Sequence, residues 1–508
     1  MDILLSSLQP RQRSRSSLPA LKFGEWLPDM PEIDNPGCTE VQNVIPFGPG
    51  GYKPFGDFLE SSTTALSSQC LGAITAKGSD TVVSAYAGDA TKLYYLNGQV
   101  WTSAGTGFTL SSTDRWEFVK VPNAEKMLAC SIGEVTQVIT LGGTTFSGYF
   151  TSTLKPKPAH AAQVGSFLML LNVDEGGTIF PDRLRWSSIS DPADMDQSAA
   201  NQADSEDLGG EFGFGTRLIG GATGTVFLER GIARASYVGS PSVFRVDILE
   251  PNRGAISGGG VIAVGRMIFF VAHDGFFLWD GLEAHAIGDR KVNKFFKDTA
   301  DTNSYHTIST AMDSANQVIM WAFASTTASG GVPDKILMYH WPSGWWGRAD
   351  IVTEFIQTGF TSGVTLEQLD NFSSSLDLLT PSMDSSVWKG GIILPTGFNV
   401  NHQSGSFTGD NLAAVMETGV RQLFPGKQAL VSGVIPVCDG GTLTCSVAGA
   451  LRMNDAFSFE TAVAQRTSGK TPLRNKNRYH KFQMNVAAGG TWTHASGVQP
   501  IASETGEY

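Results

Sequence analysis

Apolar residues along most of this chain fall in short runs that alternate with polar ones and are interrupted by glycine, asparagine and aspartate. Period-two runs are read as half-buried strands, because successive side chains of a strand face opposite sides. Lys92–Trp101 (KLYYLNGQVW) sets Asn97-Gly98 between two apolar runs and predicts a hairpin, since both residues tolerate positive φ. The pattern returns at 274–288 (DGFFLWDGLEAHAIG) with Asp280-Gly281 as the turn. A weaker echo lies at 385–394 (SSVWKGGIIL), where Trp388 precedes Gly390-Gly391. Strands arriving about every eight to twelve residues predict a sandwich or a propeller. Over residues 62–395 a β-propeller-like domain of six or seven blades accounts better for the length, because radial repetition needs no giant sheet.

Helical periodicity is scarce. Asp289–Asp298 (DRKVNKFFKD) places Val292, Phe295 and Phe296 on one face, with Asp289 as the expected cap. Thr365–Leu379 is expected to hold another turn or two. In residues 1–61, Pro28, Pro31, Pro36, Pro46, Pro49 and Pro54 recur too often for a helix or central strand. That segment is expected to be an extended arm, draped over the domain or reaching a neighbour. Near residue 390 the composition shifts, and Asn399–Asn411 is turn-rich. Gln428–Gly449 (QALVSGVIPVCDGGTLTCSVAG) then reads as a hairpin turning at Asp439-Gly440-Gly441. Residues 396–508 are expected to form a smaller β domain, sandwich-like or completing the propeller region.

Composition narrows the functional classes. With 58 glycines, 30 phenylalanines and 11 tryptophans the chain is folded and turn-rich rather than disordered. A net charge of −12 argues against a surface built to grip nucleic acid. The five cysteines form no C-x-x-C pair, so a zinc site is not expected. They read as buried free thiols of a reducing compartment, although Cys438 and Cys445 would face each other across a hairpin. No basic stretch followed by an apolar core opens the sequence, so no secretory leader is expected. The longest apolar run, Val261–Ala272, contains Arg266 and is too short for a bilayer of roughly 30 Å.

Catalytic motifs are not found. There is no H-E-x-x-H and no G-x-S-x-G. Ser468–Thr471 (SGKT) ends like a phosphate loop, but Ala464 stands where the first glycine belongs. Gly258-Gly259-Gly260 meets Ala263 where a dinucleotide fingerprint requires glycine. His273 and Asp274, neighbours on an expected strand, would point to opposite faces. Asp194 and Asp196, and then Asp204, Glu206 and Asp207, read as exposed acidic loops, the second stretch alternatively as an acid–base pair or a calcium loop. Trp341, Trp345 and Trp346 offer either a surface on which a sugar or base stacks or aromatic closure of a strand pair. Arg11, Arg13 and Arg15 are possible assembly contacts, to phosphate or to an acidic partner, or else a solvated tail. No catalytic, metal-binding or cofactor-binding residue is predicted.

Several runs resemble one family. Arg183–Gln197 (RLRWSSISDPADMDQ) is similar to a stretch of the packaged-DNA-stabilisation and tail-nozzle (tail tubular) proteins of short-tailed bacteriophages. LERGIARASYVGSPSVFRVDIL at 228–249, NRGAISGGGVIAVGRMIFFVAHDGFFLWDG at 252–281 and GDRKVNKFF at 288–296 follow in that family's order. LFPGKQALVSGVIPVCDGG at 423–441, RNKNRYHKF at 474–482 and GGTWTHASGV at 489–498 extend the resemblance over most of residues 90–500. It implies a non-enzymatic virion protein made in the host bacterial cytoplasm. Its place would be a hexameric ring below the portal and adaptor (head–tail connector) rings, with a tail fibre, needle or plug protein as a further partner. Such a ring retains the packaged genome and conducts it during ejection, without cofactor or membrane insertion. Six copies at −12 each give the acidity a role, since a lumen without clustered cations releases no counterions and lets double-stranded DNA pass without tight binding. The competing class is a glycan-cleaving or glycan-binding propeller of a tail or cell surface. The Asp-box repeats of sialidases are absent, which counts against its cleaving form.

Overall fold

The computed structural model describes residues 16–33, 35–79, 83–121, 124–360, 375 and 392–507. Arg11, Arg13, Arg15, Trp388 and, apart from Ser375, the helical turn expected at Thr365–Leu379 lie outside the described residues. The fold is mainly β, as the alternation predicts.

The chain divides into two compact units. Among the described residues, the larger, 56–344 and 349–409, is built from seven four-stranded antiparallel sheets in chain order, residues 345–348 of the sixth sheet's last strand being counted with the other unit. Sheet 1 begins with Gly72–Lys77, sheet 2 with Glu117–Lys120, sheet 3 with Lys157–Val164 and sheet 4 with Gly215–Ile219. Sheet 5 begins with Ile262–Val264, directly after the Gly258–Gly260 turn, sheet 6 with Ser309–Asp313 and sheet 7 with Phe355–Phe360. Each opening strand, or for sheet 5 the glycine turn, adjoins the next, and Phe355–Phe360 adjoins Gly72–Lys77, so the succession returns to its start. Sheet 7 takes its fourth strand, Leu59–Glu60, from the other end of the unit's sequence, paired with Ser404–Ser406.

Apolar faces are buried between successive sheets. Leu93, Trp116, Met127 and Ile139 fill the space between sheets 1 and 2, and Leu168, Leu170, Leu128 and Tyr149 that between 2 and 3. Phe167, Trp186, Val226 and Phe244 do the same between 3 and 4, and Phe227, Ile232, Phe270 and Trp279 between 4 and 5. Cys70, Tyr94, Trp101 and Phe398 close the set between 7 and 1. Each buried leucine or phenylalanine contributes about 1.5–3 kcal/mol. Close approach at the inner edge requires glycine: a Cβ on Gly259 would lie 1.9 Å from the Ile308 carbonyl oxygen.

Local turns depart from expectation in small ways. Val100 pairs with Asn97, so the first hairpin turns at Gly98-Gln99, one residue later than read from the sequence. Ala272 pairs with Gly275, which makes His273-Asp274 the turn itself rather than part of a strand. The helix spans Asn293–Thr299, and Val292 rather than Asp289 occupies its cap position. The turn at Asp280-Gly281 is present between Gly275–Trp279 and Ala284–Ala286. The Asp280 carboxylate accepts the Leu282 and Glu283 amides at 2.8 and 2.9 Å, and Gly281 has φ +102°. Space is open around Gly281, so Gly281→Val meets backbone strain alone. Chemical denaturation is expected to show a loss of about 1 kcal/mol, and unchanged stability would refute the need for positive φ there.

The second unit gathers described residues 16–55, residues 345–348 and the chain from 410. One of its sheets is built on Lys427–Cys438 paired with Ala495–Glu507. The other runs Cys38–Gln42, Ala414–Thr418, Tyr479–Val486 and Leu443–Ala450. This corrects two expectations. The described part of the expected arm is woven in: Ser16–Ser17 and Leu21–Lys22 pair with Ala495–Glu507, Cys38–Gln42 pairs with Ala414–Thr418, and Phe23 and Trp26 are buried. Its backbone groups are satisfied by strands hundreds of residues away, a partnership that proline spacing cannot reveal. Second, Lys427–Cys438 and Leu443–Ala450 are not a hairpin. Asp439-Gly440-Gly441 carries the chain from one sheet to the other, with Asp439 accepting the Thr493 and His494 amides at 2.9 Å each. Cys438 and Cys445 therefore stand in different sheets, and all five cysteines are free thiols. The unit boundary falls at 409–410 instead of 395–396, because Ser404–Ser406 belongs to sheet 7.

Candidate functional site

The opening strands of six sheets, and the Gly258–Gly260 turn ahead of sheet 5, converge on a cavity of about 460 Å³ in the larger unit. Arg115, just ahead of sheet 2, and Glu117, its first residue, both line it, as do His160 of sheet 3 and Arg217 of sheet 4. Glu117 is 8 % exposed; its Oε2 lies 2.6 Å from His160 Nδ1 and accepts from Arg217 Nη1 at 3.0 Å. Burial pushes the Glu117 carboxyl up, but Arg217 and His160 together outweigh it and hold the group below the usual carboxylate range. The carboxylate therefore stays ionised and clamps three adjacent sheets.

Arg115 crosses the cavity. Its Nε donates to the His306 carbonyl, just ahead of sheet 6, at 3.1 Å, and its Nη1 to its neighbour's carbonyl, Asp114 O, at 3.2 Å. Burial pulls its pKa down to about 10, and burial followed by the Arg115 charge lowers that of His306. Backing this cluster, Glu354 accepts the Cys70 amide at 3.0 Å and lies 2.6 Å from His402 Nδ1. Burial raises the Glu354 carboxyl. The pair ties the first and last segments of the unit together, and His402 takes a left-handed φ of +61°.

Of the residues singled out from sequence, Gly258 and Gly259 line the cavity, whereas the tryptophans and acidic residues lie elsewhere. Trp346 is fully buried, Trp345 is half-buried with its ring centroid 6.0 Å from Tyr52, and Trp341 is half-buried with its amide on Gln317 O. Asp207 holds Arg183 through two bonds of 2.7 and 2.9 Å, and Asp196 accepts the Thr153 and Leu154 amides at 2.9 Å each. Among the described residues no group of three or more histidine, cysteine and acidic side chains is arranged to hold a metal ion. Ser468–Thr471 closes on itself through Gly469 N to Arg466 O and Arg466 N to Lys470 O, a turn rather than a strand-to-helix phosphate loop.

Sequence reasoning missed the charged cavity residues. His160 and His306 look merely scattered, and Arg115, Glu117 and Arg217 belong to no motif. Their one common signal is position, at or just before an opening strand that recurs roughly every 40–60 residues.

No protein-family model matches the chain, and no curated protein sequence matches it.

Proposed function

We propose that the chain is a structural virion subunit, a tail nozzle of the short-tailed-phage type, whose seven sheets are the blades of a β-propeller. The succession of opening strands and the completion of sheet 7 by Leu59–Glu60 support the propeller reading, since sharing one blade between the two ends of a domain locks its circle.

The observation that carries the nozzle reading is where the family-like residues stand. In Arg183–Gln197, Arg185 is 5 % exposed; its Nε donates to Glu175 Oε1 at 2.6 Å and its Nη1 to Met195 O at 3.0 Å. Trp186 Nε1 donates to Gln202 O, and Ser187 Oγ accepts the Leu168 amide. These residues brace a loop against its own sheet, so the resemblance rests on architecture, as a likeness between scaffold proteins would. In this reading six copies surround the conduit and meet the adaptor, with residues 1–15 as an assembly element. A cavity of about 460 Å³ spanned by Arg115 does not pass duplex DNA, so the conduit is the lumen enclosed by the six copies and not the middle of each propeller.

Acidity sets the expected behaviour toward DNA. Non-specific DNA binders reach Kd values of roughly 10⁻⁴ to 10⁻⁶ M through several phosphate contacts, and six equivalent sites would multiply that by avidity. A nozzle must not hold its cargo so firmly. Filter retention of linear duplex DNA at physiological salt is expected to be negligible. Tight, salt-sensitive retention would point to a DNA clamp and overturn the low-friction conduit.

A further inference from the structure

We propose that the cavity of the larger unit is a binding site for a small oxyanion, a carboxylate or a phosphate, gripped between the guanidinium groups of Arg115 and Arg217. The inference goes beyond the nozzle reading and does not depend on it.

The case begins with charge. Among the described residues no carboxylate lies within ion-pair distance of Arg115; its acceptors are two backbone carbonyls. A guanidinium has five N–H donors in a fixed fork, and two of these are engaged. The acidic side chain next to it, Asp114, turns away to accept the Ser111 amide at 2.8 Å. Arg217 is half-served. Its Nη1 shares Glu117 with His160, and among the described residues its buried Nε has no acceptor. Both arginines line one cavity, whose remaining wall includes Ile256, Val261, Ile308 and Phe355. Apolar walls strengthen any charge interaction made between them.

Size and chemistry then select the ligand. A volume of about 460 Å³ falls within the roughly 300–1,000 Å³ of small-molecule sites. Planar guanidinium forks match the paired oxygens of carboxylate or phosphate, and such charge-assisted bonds are about twice as strong as neutral ones. A cation is disfavoured, because the buried carboxylate of the lining, Glu117, is already paired with Arg217.

Isothermal titration calorimetry of the full chain with succinate and, separately, inorganic phosphate tests this, with sodium chloride at matched ionic strength as control. One saturable site per chain is expected for at least one probe, and the tighter probe identifies the oxyanion source. Arg115→Lys and Arg217→Lys keep the charge but lose the fork, and each is expected to weaken binding ten-fold or more. Glu117→Gln releases Arg217 and is expected to tighten it several-fold. Where a lysine variant does not fold, Glu117→Gln decides, because its effect has the opposite sign. Absence of saturable heat beyond chloride, unchanged affinity in both lysine variants, or unchanged or weaker binding in Glu117→Gln would each overturn the proposal.

Discussion

Replacing Glu175 by alanine is expected to destabilise the larger unit by about 3 kcal/mol or more, measured by chemical denaturation. Glu175 is the shared counter-ion of two arginines on the neighbouring strand: Oε1 takes Arg185 Nε at 2.6 Å and Oε2 takes Arg183 Nη1 at 3.0 Å. The Arg185 side chain is 6 % exposed, so its charge has no water to return to once the carboxylate is gone. Only the Met195 carbonyl would remain to it. Arg183 fares better, because Asp207 still holds it and its guanidinium lies 3.5 Å from the Phe180 ring centroid. Asp207 is 51 % exposed, and Asp207→Ala should therefore cost no more than about 1 kcal/mol. Removing both buried charges, in Glu175→Gln with Arg185→Met, should recover most of the loss, since what is costly is a buried charge left alone. Equal losses at Glu175 and Asp207 would contradict the burial argument.

Stability of the second unit is expected to fall between pH 6.5 and 4 by about 3 kcal/mol through one residue, His480. The ring is fully buried in Tyr479–Val486, stacked near Phe482, and neither nitrogen has a hydrogen-bond partner among the described residues. Burial lowers its pKa from 6.5 to about 4. Above pH 7 the ring is neutral whether folded or unfolded, and it contributes no pH dependence. As pH falls below 6.5 the unfolded chain takes up a proton that the folded chain refuses, and stability drops. The loss levels off near pH 4, when the folded ring protonates as well. Asp280 and Asp439, both held at about 2 by hydrogen bonds, act in a separate window: their stabilisation is lost as pH drops through 4 toward 2. His480→Phe should flatten the profile between 6.5 and 4 and leave the lower window unchanged. A variant profile parallel to that of the native chain would sink the assignment.

The sequence was legible where structure is local. Period-two alternation gave the mainly β class, and the glycine at 281 marked a turn with positive φ because both signals live within a few residues. Partner choice was not legible. Residues 16–55 read as an arm because their prolines are local, whereas the strands that pair with them lie beyond residue 410. Gln428–Gly449 read as a hairpin for the converse reason. Its two alternating runs flank a good turn, yet each strand has its partner elsewhere, in Ala495–Glu507 or Tyr479–Val486. The cavity cluster was invisible for a third reason. Glu117, His160 and Arg217 meet only because three sheets present their inner strands to one space, and spacing along the chain encodes that solely through the loose sheet repeat. Of the Trp341–Trp346 cluster, Trp346 is core, while Trp341 and Trp345 are half-buried, a difference that spacing along the chain does not encode.

The central claim, a propeller subunit that builds a six-membered conduit, is tested most directly by averaged projection images of the purified chain, taken over rising protein concentration with native mass in parallel. The account predicts rings of six copies around an open lumen, each copy showing a seven-fold lobed disc. Rings of another symmetry, or copies without the seven lobes, would contradict it.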